Sequence, residues 1–196
     1  MNKRLITILI IVVVLFLVYN FFAGKYNQMV VLDEEVNTEW ANVETQYQRR
    51  YDLIPNLVNT VKGFAEQEKE VLTQVTEARS KASSIQIDPS NLDAQAMQNF
   101  ANAQSNLNSA LSRLLVTVER YPDIKSNQNF LELQAQLEGT ENRISVARTR
   151  YNEKTKSYNT YIRKFPNTML AGMFGFERKP LYEATEGAEE APTVQF

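Results

Sequence analysis

The chain has 196 residues, with 21 Lys and Arg against 23 Asp and Glu and a net charge of −2, a balance that excludes a general nucleic-acid binder, which needs a basic face. It contains no Cys and no His, which removes disulfides, thiolate nucleophiles, the usual zinc sites and the Ser-His-Asp and Cys-His arrangements. The composition therefore reads as non-enzymatic, with no catalytic, cofactor-binding or metal-binding residue, and its richness in Glu, Gln, Asn, Ala and Leu suits long helices rather than sheets.

Residues 1–4 form a short basic N-terminus. Residues 5–23 follow without a single charge, interrupted only by Thr7, Tyr19 and Asn20. A helix of that length spans roughly 28 Å, close to the thickness of a bilayer's hydrocarbon core. The segment ends in bulky Phe21 and Phe22 rather than a small-residue cleavage site, so it reads as an uncleaved anchor in membrane lipid. Lys3 and Arg4 precede it, whereas Lys25 is the sole basic residue between it and Arg49. That asymmetry leans the domain toward the outer face.

A helical domain over residues 24–182 comes next. Its first stripe, Val36, Trp40, Val43, Tyr47, Tyr51, Ile54, Val58, Val61, Ala65, Leu72 and Val75, predicts one long helix over residues 25–83, continuous with the anchor. Pro55 lies inside the stripe and predicts a kink, because a proline removes one helix hydrogen bond and crowds the preceding turn. A loop over 84–91, with Asp88-Pro89, separates this from a second helix over 92–121. Tyr121-Pro122 ends the second helix. A third runs over 126–164 and stops at Phe165-Pro166, and residues 169–176 add a short helix. Short connections between long helices predict an antiparallel bundle. Residues 183–196 read as an acidic disordered tail.

Several blocks resemble a known family. They are Gln48-Arg49-Arg50-Tyr51-Asp52-Leu53-Ile54-Pro55-Asn56-Leu57-Val58, Trp40, Tyr121-Pro122, Leu137-Glu138-Gly139-Thr140-Glu141-Asn142-Arg143-Ile144, Tyr151-Asn152, Phe165-Pro166 and Gly175-Phe176. In this order they resemble the LemA family of bacterial membrane proteins. The resemblance implies one N-terminal transmembrane helix in the bacterial inner membrane and an antiparallel bundle, usually counted as four helices. It implies no catalytic or cofactor residue.

The candidate interaction residues cluster around the proline: Trp40, Gln48, Arg49, Arg50, Asp52, Pro55 and Asn56, with Glu141, Asn142 and Arg143 on the third helix as a complement. In a purely structural role, Asp52 caps or pairs with an arginine, and Arg49 and Arg50 cover carbonyls freed by Pro55. In a functional role the same groups face a partner. Gly139, costly in mid-helix, reads as a point of close helix approach. The stripe around Val36, Trp40 and Val43 either lacks partners within the chain, and so promotes association, or is covered by residues 169–176. Two functions follow from these observations. One is a scaffold that self-associates or docks other membrane proteins. The other is a tethered sensor binding a small ligand or peptide in a groove by the kink. A carboxylate-only hydrolase using Glu138 and Glu141 is a third and weaker reading.

Overall fold

The computed structural model describes residues 3–65, 67–88 and 92–182; the expected tail over 183–196 lies outside these. Among the described residues there is no strand. The helices are α1 (Lys3–Lys62), α2 (Lys69–Ser84), α3 (Ala94–Val118), α4 (Pro122–Lys125), α5 (Gln128–Arg163) and α6 (Asn167–Phe174). Side-chain caps set two of the starts. Asp93 accepts from the Gln95 and Ala96 amides ahead of α3, and Asn127 accepts from the Phe130 amide ahead of α5.

One helix, α1, carries both anchor and domain. Its first part presents Leu5, Leu9, Val12, Leu15 and Phe16 to the outside, each more than half exposed. With no polar face and no protein cover, this stretch qualifies as a membrane span, and the chain fits a single-pass membrane protein. Further along, Val36, Trp40, Val43, Tyr47, Arg50, Ile54, Leu57 and Val61 are all buried. Their steps alternate between four and three, the 3.5-residue average of a helix packed lengthwise on a partner. The expected stripe had Tyr51 and Val58 where the seam holds Arg50 and Leu57. Tyr51 is buried as well, but Val58 is only half-buried. A search for apolar residues could not select an arginine.

The helix over 25–83 is corrected. α1 passes through Pro55 and ends at Lys62; α2 then doubles back, so that the Tyr51 hydroxyl donates to the Ala82 carbonyl at 3.2 Å. Gly63, the weakest helix former in this stretch, stands at the break. Ala65 and Leu72 are seven residues apart, a spacing that preserves helical phase across a reversal and hides it from periodicity. α3 returns along α2, with Arg120 to Glu68 at 3.2 Å and Arg113 to Gln74 at 3.5 Å. α5 runs along α1 in the opposite direction. Lys154 meets Glu35 at 2.9 Å, Arg148 Nε meets the Tyr47 hydroxyl at 2.9 Å, and Glu141 meets Arg50 at 3.1 Å.

Two further expectations change. The stripe near the membrane is not bare: Val36, Trp40 and Val43 are fully buried, and the Trp40 ring sits edge-to-face on Phe100 (5.6 Å) and Tyr151 (5.3 Å). α3 and α5 cover it, while α6 packs nearer the anchor, with Phe174 4.9 Å from Tyr26. Gly139 marks no close approach, since a Cβ built there meets nothing within 4 Å.

A candidate binding groove beside the buried Arg50

Pro55 has no amide hydrogen to give the carbonyl four residues back, which belongs to Tyr51. That carbonyl instead accepts from Arg79 Nε of α2 at 2.7 Å. The covering group is therefore Arg79, and not the expected Arg49 or Arg50. No spacing in the sequence pointed to Arg79, because α2 reaches Tyr51 only through the reversal after Lys62. A charged donor on a carbonyl is worth about 1.5–3 kcal/mol.

Arg50 is fully buried in the α1 seam. Its guanidinium pairs with Glu141 of α5 at 3.1 Å and donates from Nη2 to Asn108 of α3. Burial pulls its pKa down, and Glu141 opposes the shift. Nη1 has no partner among the described residues. Beside it, the Tyr51 hydroxyl receives the Gln104 amide, and burial raises its pKa. Arg50 and Tyr51 thus tie α1 to three other helices. The remaining candidates lie elsewhere. Arg49 and Asn56 are exposed on α1, and Asp52 accepts from Gln48 at 2.9 Å instead of capping a helix or pairing with an arginine. Trp40 is core.

Exposed members of the cluster line a groove of about 1090 Å³ between α1 and the loop after α2. Its polar rim holds Gln46, Gln48, Arg49, Asp52 and Arg143, and Tyr47, Tyr51, Ile85, Ile87 and Phe100 give it an apolar floor. Pro55 and Asn56 do not line it. A second hollow of about 430 Å³, reaching Glu39, Asn142 and Arg150, shares Gln46 and Arg143 with the first. The Gln46 side-chain carbonyl oxygen is itself buried and has no hydrogen-bond partner among the described residues. Burial raises the pKa of Glu44, also on the rim, against a pull from the Trp40 indole. Among the described residues no three acidic side chains gather to hold a metal ion.

A model described as the LemA family matches residues 39–196. The chain belongs to the LemA family. This LemA-family chain is 27% identical over 178 residues to magnetosome protein MamQ 2 of Paramagnetospirillum magneticum, covering 81% of the chain and 65% of that relative. It is 26% identical over 171 residues to magnetosome protein MamQ of Magnetospirillum gryphiswaldense, covering 79% and 63%. Protein LemA of Metamycoplasma hominis is 21% identical over 184 residues, covering 94% and 80%. The chain thus spans just under two-thirds of the magnetosome relatives' length. None of these names denotes an enzyme.

One further assembly in this LemA-family chain has a clear sequence signal. Tyr-Asn occurs twice on α5, at 151–152 and 158–159. Both tyrosines are buried. Their hydroxyls also bond a strap formed by residues 177–182: Tyr158 donates to the Glu177 carbonyl (2.9 Å) and Tyr151 to the Pro180 carbonyl (2.7 Å). Each asparagine both gives and takes. Asn159 clasps the Lys179 backbone at 2.8 and 3.0 Å, and Asn152 clasps that of Tyr182 at 2.9 and 2.8 Å. Seven helical residues rise about 10.5 Å, and three extended residues about 10 Å. That match lets one repeat grip the strap twice. At its end Tyr182 hydrogen-bonds Tyr47, a groove residue, at 3.0 Å.

Proposed function

We propose that this chain is a non-enzymatic, membrane-anchored docking module that receives an extended peptide segment of a partner protein in the groove beside Arg50. The observation carrying this reading is the convergence of Gln48, Arg49, Asp52 and Arg143 over the apolar floor of the larger hollow, which joins the second hollow at Gln46 and Arg143. The surrounding amides, guanidinium groups and apolar floor suit a polypeptide with alternating polar and apolar contacts. The same helices already hold one extended segment through side-chain amides, namely the strap. In this reading the helices form an antiparallel bundle and a bend of α1 at Pro55 sets the angle of the groove. In the same reading the basic N-terminus stays on the cytoplasmic side of the inner membrane and the domain faces outward.

The groove favours docking over self-association through the α1 stripe, because that stripe is covered within one chain. A benzophenone side chain placed at Gln48 or at Asn142 of the full chain in intact cells tests this. The expected result is a protein adduct of one size from both positions, absent when the probe replaces exposed Val116 and lost in a Gln46→Leu, Arg143→Glu background. An adduct of twice the chain's mass would indicate self-association instead. Crosslinking no greater than at Val116 would end the proposal.

A further inference from the structure

α6 and the turn before it have the wrong surface for an aqueous helix. No charge occurs between Phe165 and Phe176. Leu170 and Ala171 face the protein, yet the outer side is apolar too: Phe165 is 81% exposed, Met169 67%, Met173 74% and Phe174 53%. Met169 and Met173 are four residues apart in α6, so they form one ridge along the outside of the helix, and exposed Phe165 stands in the turn just before it. A short helix that is apolar on both faces needs cover that the described residues do not supply.

Its position says what covers it. α5 runs toward the anchor, with Lys25 5.8 Å from the Tyr161 ring, and α6 closes on α1 at Tyr26. Tyr26 is three residues past the uncharged segment, about 4.5 Å along the axis. The ridge is therefore continuous with the lipid-exposed surface of Phe21 and Phe22. Basic side chains frame it: Arg163 and Lys164 before, Arg178 after, and Lys25 beside it. Amphipathic rings and thioethers flanked by lysine and arginine are the composition of a segment lying at the headgroup boundary.

The geometry points to a second membrane contact: α6 with Phe165 rests in the bilayer interface, with Phe165, Met169 and Met173 turned into lipid and Arg163 and Lys164 at the phosphate level. The inference rests on residues 5–23 spanning the same bilayer. It fixes how the domain sits over the membrane, since one helix alone would leave it free to swing. The chain has no cysteine, so a nitroxide can be placed at single sites without background. Met169→Cys, Met173→Cys and Val116→Cys are labelled in the full chain in nanodiscs of three parts phosphatidylcholine to one part phosphatidylglycerol. Collision rates with oxygen, which favours lipid, and with a water-soluble nickel chelate are then compared. At 169 and 173 the oxygen-to-nickel ratio should exceed that at Val116 several-fold, and dilution with unlabelled chain should leave the spectra unchanged. Ratios equal to that at Val116 would overturn the proposal. So would line broadening relieved by dilution, which would place a second copy on the ridge.

Discussion

At the membrane-near end of the domain a bare stretch of backbone, residues 177–182, is laid on α5, and α5 meets its polar groups with Tyr and Asn side chains. At the far end the defect lies inside a helix. α1 loses a hydrogen bond at Pro55, and a side chain of another helix supplies the replacement. Both ends answer the requirement that backbone groups leaving water find partners. They differ in what they leave exposed. The near end spends both side-chain amides, Asn152 and Asn159, on the strap. The far end spends Arg79 on repair and Arg50 on ties between helices, but leaves Gln46, Gln48, Arg49 and Arg143 around open space. A structural clamp and a recognition surface are thus built from similar residues, and the presence of a resident backbone tells them apart.

The largest way to break this comparison is at the clamp. Asn152→Ala with Asn159→Ala removes four hydrogen bonds to the strap, at about 1 kcal/mol each. The double variant should lose about 4 kcal/mol in denaturation of the detergent-solubilised chain. Trp40, the sole tryptophan and fully buried, serves as the fluorescent probe. A loss below about 1 kcal/mol would mean that the strap is held by its apolar contacts alone.

The next test moves to the far end. Removing one member of a buried ion pair costs about 3–5 kcal/mol, less where solvent reaches the partner. Glu141 is 43% exposed, so Glu141→Ala should cost about 2 kcal/mol, leaving the Arg50 charge in the seam. Arg50→Met fills the same seam without a charge and should cost under about 1 kcal/mol. The order of the two variants is the informative part: Arg50→Met unfolding more readily than Glu141→Ala would show that the guanidinium holds the helices together.

Much of this architecture was legible as pattern. The uncharged run, the long helices, the turns at Pro122 and Pro166 and the short helix near 169–176 were all readable. The illegible parts share a cause, which is that they depend on which chain segment arrives from far away. The return of α2 was invisible because Ala65 and Leu72 keep helical phase. The burial of Arg50 contradicts what composition teaches about arginine, and its signal lay in the four-three spacing from Tyr47 to Ile54. The repeated Tyr-Asn was visible as letters, but its meaning needed residues 177–182 to lie beside it. Of the candidate residues, Gln48, Arg49, Asp52 and Arg143 do converge on one groove. Trp40, Arg50 and Glu141 are joined to the fold by packing and by an ion pair, so adjacency in sequence mixed core and rim.

The smallest effect gives the sharpest test of the repair at Pro55. Arg79→Met removes the donor to the Tyr51 carbonyl and should cost about 1.5 kcal/mol. Pro55→Ala returns an amide hydrogen to that same carbonyl, through the ordinary bond from residue 55 to residue 51. In the Pro55→Ala background the carbonyl no longer depends on Arg79, so Arg79→Met should then cost about 0.5 kcal/mol. The difference, about 1 kcal/mol of coupling, exceeds the 0.3–0.5 kcal/mol by which independent sites usually depart from additivity. Packing lost from the arginine stem is the same in both backgrounds and cancels, so coupling reports the hydrogen bond itself. Additive variants would mean that Arg79 merely lies near the proline, and the account of how α1 passes through residue 55 would need another donor.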